Sequence, residues 1–260
     1  MGSESQSQLI ATVERAADVL LLFSQSGERD LGITEIARSL GISKAAVHRI
    51  LASLRSRGFI ELIEESRRYE LGTSSLALGL TCLSQLDIRA IVAPELASLS
   101  QATQETATLS IRSGFERLYV DQVTPNREIV MSVAMGITHP LHAGSSSKAF
   151  LAWLTEAEIL QYLKRKLKAV TSVTPTDPAK IISELRQIRT RGYAQSVGER
   201  QPGSASIAAP IFDRSGQPVA VISVCGPADR FKSQISQAVP LLLASANRSS
   251  RRMGYLPKKK

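Results

Sequence analysis

The chain has 260 residues, of which 43% are hydrophobic, 21% charged and 5% aromatic. That length favours two domains with ample apolar residues for their cores, and no uncharged apolar run is long enough to span a membrane. Two cysteines, Cys82 and Cys225, exclude a disulfide framework and suit a reducing cytoplasm, while a net charge of +9 points to an anionic partner.

The opening MGSESQSQ has no basic segment leading into an apolar one, so no signal peptide is expected. Met1 to Ser7 and Pro257 to Lys260 read as disordered ends. From Leu9 to Phe23, the residues Ile10, Val13, Ala17, Leu20 and Leu21 recur at helical spacing. A short second helix follows, with Ile33, Ile36, Ala37 and Leu40 forming one stripe. Gly41 supplies a permissive turn and Ser43 a cap. The third helix buries Val47, Ile50, Leu51 and Leu54. Gly58 ends it; FIELI, a turn at Glu65 and Ser66, and RYEL then make a hairpin. Three helices and a hairpin in this order describe a winged helix-turn-helix over residues 8–71.

The charge pattern agrees. Between Ile36 and Ile60 stand Arg38, Lys44, Arg49, Arg55 and Arg57 with no acidic residue, although residues 1–90 balance at ten basic against eleven acidic. Cations are thus concentrated where a helix entering the major groove would meet phosphates. Ala45 and Ala46 permit close approach to base edges, and Arg67 and Arg68 in the wing suit phosphates or the minor groove. The expected DNA contacts are Thr34, Ser43, Lys44, Ala45, His48, Arg49, Arg55, Arg67 and Arg68.

Beyond the wing, residues 72–87 contain TSSLALGLTCLSQL, uncharged until Asp87 and too apolar to stand alone in water. This reads as a linker helix buried against a partner subunit or the next domain, with Cys82 as packing. Ile88 to Gln104 is a further helix, with Pro94 tolerated near its start. ATLSIR, RLYVDQV and EIVMSV read as antiparallel strands. HPLHAGSSSKAFLAWL passes from loop into a helix near Ser145. EAEILQYLKRKL and DPAKIISELRQIRTRG are helices, the second capped by Asp177 and closed by Gly192. GYAQSVGE, SIAAPIF and VAVISVCGP are strands, the last two joined at Asp213 to Gly216, and a final helix runs from about Ser233 to Arg252. Residues 88–255 are therefore α+β, an antiparallel sheet with helices on its faces.

The segments ITEIARSLGISKAAVHRILASLRSRGFIE, YELGTSSLALG, PLHAGSSSKAFLA and RGYAQSVGERQPGSASIAAPIFDRSGQPVAVISVCGP, in that order and spacing, resemble the IclR-type bacterial transcription regulators over nearly the whole chain. The resemblance implies a GAF-like effector domain behind the winged helix-turn-helix. It also implies a homodimer or dimer of dimers on a pseudo-palindromic duplex operator, and a small organic metabolite that alters operator binding. Carried over by position, the effector pocket would be lined by Met131, Ser145, Ser146, Ser196, Ser206, Ser223 and Cys225. Backbone N–H groups near Ser145 and the hydroxyl of Ser223 suit a small carboxylate. Two departures stand out: Ser147 where glycine is common, and an acidic run reduced to Glu199. No cofactor, metal or membrane partner is implied.

Other readings compete. Ser145 to Lys148 matches S-x-x-K, the nucleophile motif of penicillin-binding enzymes, but no K-T-G or S-D-N accompanies it. A serine-type hydrolase built on Ser145 and Lys148, or a constitutive architectural DNA-binding protein, are the alternatives to a ligand-responsive regulator. His139 and His142 lack further ligands for a metal and read as loop histidines satisfied by backbone. Cys225 has no cationic neighbour in sequence and reads as a pocket or core thiol.

Overall fold

The structure, a computed structural model, describes residues 10–26, 28–84 and 87–256, the side chains of 82–84 and 87 excepted. The expectations for the two chain ends and for the Cys82 side chain lie outside the described residues. The chain divides into two compact units, residues 1–85 and 86–260.

In the first unit, α1 (Ala11–Ser26), α2 (Ile33–Leu40) and α3 (Lys44–Ser56) are followed by a hairpin of β1 (Ile60–Ile63) and β2 (Arg68–Leu71), then α4 (Thr73–Ser84). The local signals act as the sequence indicates. Gly41 closes α2 in the left-handed region (φ 63°), donating its N–H to the Ala37 carbonyl. Ser43 Oγ accepts the Ala46 N–H at 3.2 Å and so starts α3. At the head of α2, Glu35 reaches back to accept the Gly32 N–H at 3.0 Å. Val19, Ile36, Val47, Leu51 and Ile60 are wholly buried in one cluster with Phe23, Leu31 and Tyr69; each such side chain contributes about 1.5–3 kcal/mol. Along α4, by contrast, Leu76, Leu78 and Leu80 are all more than half exposed.

The second unit begins with α5 (Asp87–Thr103) and is built on a six-stranded sheet. Its strands are β3 (Thr106–Ser113), β4 (Glu116–Val123), β5 (Thr138–Pro140), β6 (Ala194–Val197), β7 (Ser204–Phe212) and β8 (Pro218–Pro227), in the order β5-β4-β3-β8-β7-β6, every pair antiparallel. Three helices, α6 (Ser145–Leu151), α7 (Glu156–Leu163) and α8 (Pro178–Arg191), form a core with one sheet face through Phe150, Leu151, Ile181, Ile188, Ala208 and Val221. Helices α5 and α9 (Ala228–Arg252) pack on the sheet as well.

Three expectations are corrected. EIVMSV is not a strand: residues 128–133 run irregularly, and Thr138–Pro140 takes the edge of β4 instead. The Gln122 side chain explains this, since its amide donates to the Val133 carbonyl at 3.1 Å and accepts the Val133 N–H at 3.0 Å. A side chain thus satisfies backbone groups that a ladder would have used. Pro94 lies in the interior of α5, not near its start. The missing hydrogen bond and ring clash cost about 3 kcal/mol, offset by burial of Val92, Leu96 and Leu99 around it. Helix α9 begins five residues earlier than expected, at Ala228, where the buried Phe231 anchors its first turn. Among the described residues, no helix is long and apolar enough to cross a membrane.

Candidate DNA interface and ligand cavity

Helix α3 turns Lys44, Ala45, His48, Arg49, Ser53 and Arg55 outward and buries the opposite face, with Arg57 exposed at its C-cap. Ser43 and Thr34, at the heads of α3 and α2, are exposed beside it. Neither Lys44 nor Arg49 has an ion-pair partner among the described residues. At the wing tip, Arg67 adopts φ 55° and is 73% exposed, held loosely by Glu64 at 2.8 Å. Arg55 lies 3.6 Å from the same carboxylate.

Arg68 does something else. Its guanidinium pairs with Glu35 at 2.8 Å and with Asp30, and donates to the Asp30 carbonyl at 3.0 Å. Two carboxylates neutralise it, so it clasps the wing to the head of α2 and is not free for phosphate. The same contact lowers the Glu35 pKa through its hydrogen bond to Arg68.

In the second unit, one cavity collects every residue expected at the effector site: Met131, Ser145, Ser146, Ser196, Ser206, Ser223 and Cys225. Register explains the gathering. Ser206 pairs with Ser196 on one side and Cys225 on the other, and Thr108 pairs with Ser223, so alternate side chains of four strands face α6. Hydroxyls tie the walls together: Ser145 Oγ donates to Ser206 Oγ at 2.7 Å, and the Thr108 and Ser223 hydroxyls meet at 2.5 Å. Helix α6 is only seven residues long, and its dipole is correspondingly weak.

The cations that sequence reasoning missed are stronger features. Arg117 and Arg200 line the same cavity with Tyr119. Arg117 is 1% exposed. It donates to Ser147 Oγ at 2.8 Å, Ser110 Oγ at 3.3 Å and Tyr119 Oη at 3.0 Å, and its guanidinium sits 4.3 Å from the Tyr119 ring centre. Arg200 approaches that ring at 5.7 Å. Among the described residues no carboxylate forms an ion pair with either guanidinium. Desolvation pulls the Arg117 pKa below the usual arginine range. Strand alternation carried the signal, since Arg117 shares a face with Tyr119 while Leu118 and Val120 take the other; Arg200, in a loop, gave none. Ser147, the departure from the family pattern, is the hydroxyl that receives Arg117.

The S-x-x-K match dissolves in three dimensions. Lys148 Nζ is held by Glu184 at 2.6 Å and Glu199 at 2.5 Å, while Ser145 turns to Ser206. With its Nζ held by two carboxylates and the serine turned away from it, Lys148 is not placed to act as base to Ser145. Burial raises the Glu199 pKa against the pull of Lys148, and Glu199 also accepts the Gly144 N–H at 3.0 Å. Burial pushes the Cys225 thiol up to about 11, so it is protonated at neutral pH. His142 is fixed by the Tyr162 hydroxyl at 2.6 Å and the Lys168 carbonyl at 3.0 Å, as a satisfied loop histidine should be. His139 differs: its Nε2 is buried with no hydrogen-bond partner among the described residues.

Burial, with Arg117 and Arg200 nearby, lowers the His139 pKa to about 3. The folded state therefore stays neutral there while the unfolded chain takes up a proton below about 6.5. Stability contributed by the neutral ring is full above that value and falls as pH drops towards 3, by roughly 3 kcal/mol at pH 4. Melting curves should lose more of their midpoint between pH 7 and pH 4 in the parent chain than in His139→Gln; equal losses would refute the assignment.

Residues 12–63 match the family described as the IclR helix-turn-helix domain, and residues 80–251 match the bacterial transcriptional regulator IclR C-terminal domain. The chain belongs to the IclR family. It is 34% identical over 252 residues to the HTH-type transcriptional regulator BhcR of Paracoccus denitrificans, covering 96% of this chain and 89% of that one. An IclR transcriptional regulator from Alicyclobacillus acidocaldarius superposes with a TM-score of 0.85 at 30% identity, covering 95% of this chain and all of the other. An IclR homologue from Microbacterium hydrocarbonoxydans shares the fold at a TM-score of 0.80 and 20% identity, over 94% and 99% of the two chains. By its two family domains and its likeness to BhcR, the chain is a transcriptional regulator with a helix-turn-helix for DNA, not an enzyme.

Proposed function

We propose that this IclR regulator is switched by a small organic anion, a carboxylic acid, bound between Arg117 and Ser145. The observation that carries this is Arg117: a guanidinium buried in the cavity wall whose side-chain hydrogen bonds, among the described residues, all go to hydroxyls. Burying an unpaired charge costs several kcal/mol, and a bidentate carboxylate is the ligand that best compensates a planar fork. Met131, Ser146, Ser196, Ser206, Ser223 and the neutral Cys225 thiol complete a polar lining that orients the rest of the molecule. The cavity holds about 20 Å3 of free space, the room of a single water. An organic acid enters by displacing side chains, and Met131, unbranched and carried on the irregular segment before β5, is the readiest to yield. The Microbacterium homologue is complexed with 4-hydroxybenzoate; its likeness to this chain is one of fold, so the carboxylate reading rests on Arg117.

On the DNA side, Lys44, Ala45, His48 and Arg49 enter the major groove, with Thr34, Ser43, Arg55 and Arg67 on flanking phosphates. Two copies read a pseudo-palindromic operator. The exposed Val13 and Leu21 of α1 and Leu76, Leu78 and Leu80 of α4 support this, as apolar side chains that a homodimer or dimer of dimers would cover. The regulator acts on cytoplasmic DNA, and ligand binding shifts the population of arrangements that fit the operator. Arg49→Ala should weaken binding to a duplex selected by the protein by about 1–3 kcal/mol if Arg49 reads a guanine. An unchanged affinity in a fluorescence-anisotropy titration would remove it from the interface.

A further inference from the structure

The excess positive charge is not in the helix-turn-helix. Residues 1–85 hold nine Lys and Arg against ten Asp and Glu, whereas residues 86–260 hold twenty-three against thirteen. The densest part is the stretch after α7, where Lys164, Arg165, Lys166 and Lys168 stand within five positions, all exposed. None of the four has an ion-pair partner among the described residues. Glu116 is the one carboxylate among the residues that line this niche, beside Arg165, Lys166 and Lys168.

The stretch is held in shape and is not a loose tail. Its start is stitched to α7 by the backbone bonds from Lys164 to Leu160 and from Arg165 to Tyr162, both 3.1 Å. Its end is pinned by the hydrogen bond between His142 and the Lys168 carbonyl at 3.0 Å. Arg165 lies over the rings of Phe115 and Tyr162, at 5.7 and 6.0 Å. Unpaired like charges packed this closely repel one another, at a cost that a polyanion relieves. Four cations over five residues span at most about 14–18 Å of chain, a length that covers two or three successive phosphates of a duplex strand.

We propose that this basic stretch of the effector domain is a second, sequence-independent contact for duplex DNA. It rests on the chain being a DNA-binding regulator, and it adds affinity through counterion release without reading bases. The full chain should be titrated with a random-sequence duplex from 50 to 200 mM salt. The comparison variant carries Lys164→Gln, Lys166→Gln and Lys168→Gln, sparing the stacked Arg165. A control carries Lys180→Gln, Arg214→Gln and Lys232→Gln, three exposed cations elsewhere on the same unit. All six side chains are exposed, so both variants should melt with the parent. The stretch variant is expected to bind the duplex roughly tenfold or more weakly at 50 mM salt, with a salt slope shallower by about 2. The control should keep most of both. Equal effects in the two variants, or no effect in either, would overturn the proposal. So would loss of binding to phosphatidylserine vesicles with duplex binding intact, which would make the stretch a membrane contact. Arg49→Ala in the same titration tests the helix-turn-helix separately.

Discussion

Arg117→Met should remove most of the response to carboxylates while leaving the ligand-free protein within about 2 kcal/mol of its parent. Two terms offset in the free protein. Methionine gives up the donors to Ser147, Ser110 and Tyr119, each about 1–3 kcal/mol as a charge-assisted bond. It also removes a buried cation whose desolvation costs several kcal/mol. The bound state has no such offset, because the anion loses its counter-charge, worth about 2–5 kcal/mol. At a hundredfold excess over its Kd, a ligand stabilises the parent by roughly 2.7 kcal/mol; after a hundredfold loss of affinity the same concentration adds only about 0.4 kcal/mol. For a domain of this size the difference is about 5–9 °C in Tm. Arg117→Lys, keeping the charge without the planar fork, should fall between. A variant that keeps the full carboxylate shift would place the anion elsewhere.

Gly72→Ala should unfold the DNA-binding unit at moderate temperature. Gly72 sits where the wing turns into α4. There a Cβ would lie 2.3 Å from the Gly58 carbonyl oxygen and 3.2 Å from the Ile60 carbonyl carbon. Both neighbours are backbone and cannot rotate away. They are fixed by the Gly72 N–H to Phe59 at 2.8 Å, the Ser74 N–H to Gly58 at 2.9 Å and the Ser75 hydroxyl to Phe59 at 2.8 Å. Relief requires parting the hairpin from α4, at a cost of about 3 kcal/mol or more. That is a large share of the 5–15 kcal/mol typical of a domain. Gly79→Ala is the matched control: nothing lies within 4 Å of its Cβ, so a helix-interior alanine should be neutral or stabilise by up to about 1 kcal/mol. Circular dichroism melts of the two variants distinguish them, and similar Tm values would contradict the clash.

The contrast between the two units shows which physics a sequence displays. The winged helix-turn-helix was legible because its signals are local: a stripe, a turn glycine, a serine cap and a hairpin each act within a few residues. The residues that line the cavity were legible through family resemblance, and sheet register then accounts for why Ser196, Ser206, Ser223 and Cys225 meet. What escaped notice depends on distant partners. Arg68 resembles every other wing arginine until Asp30 and Glu35 are brought beside it. Arg117 belongs to an ordinary alternating strand, and only the closure of α6 over the sheet leaves it buried without an anion. EIVMSV has the composition of a strand and lost that role to one glutamine side chain. Lys148 shows the converse, a catalytic pattern emptied by Glu184 and Glu199, which lie far from it in the chain.

The central claim is that an anion at Arg117 controls DNA binding at α3. Its most direct test is the affinity of the protein for a duplex it has itself selected, measured with and without a saturating carboxylate that raises its Tm. Coupling between the two sites predicts a change in Kd of about 5–150-fold, absent in Arg117→Met. The same Kd with and without that acid would contradict the account, leaving a DNA-binding protein whose ligand does not control it.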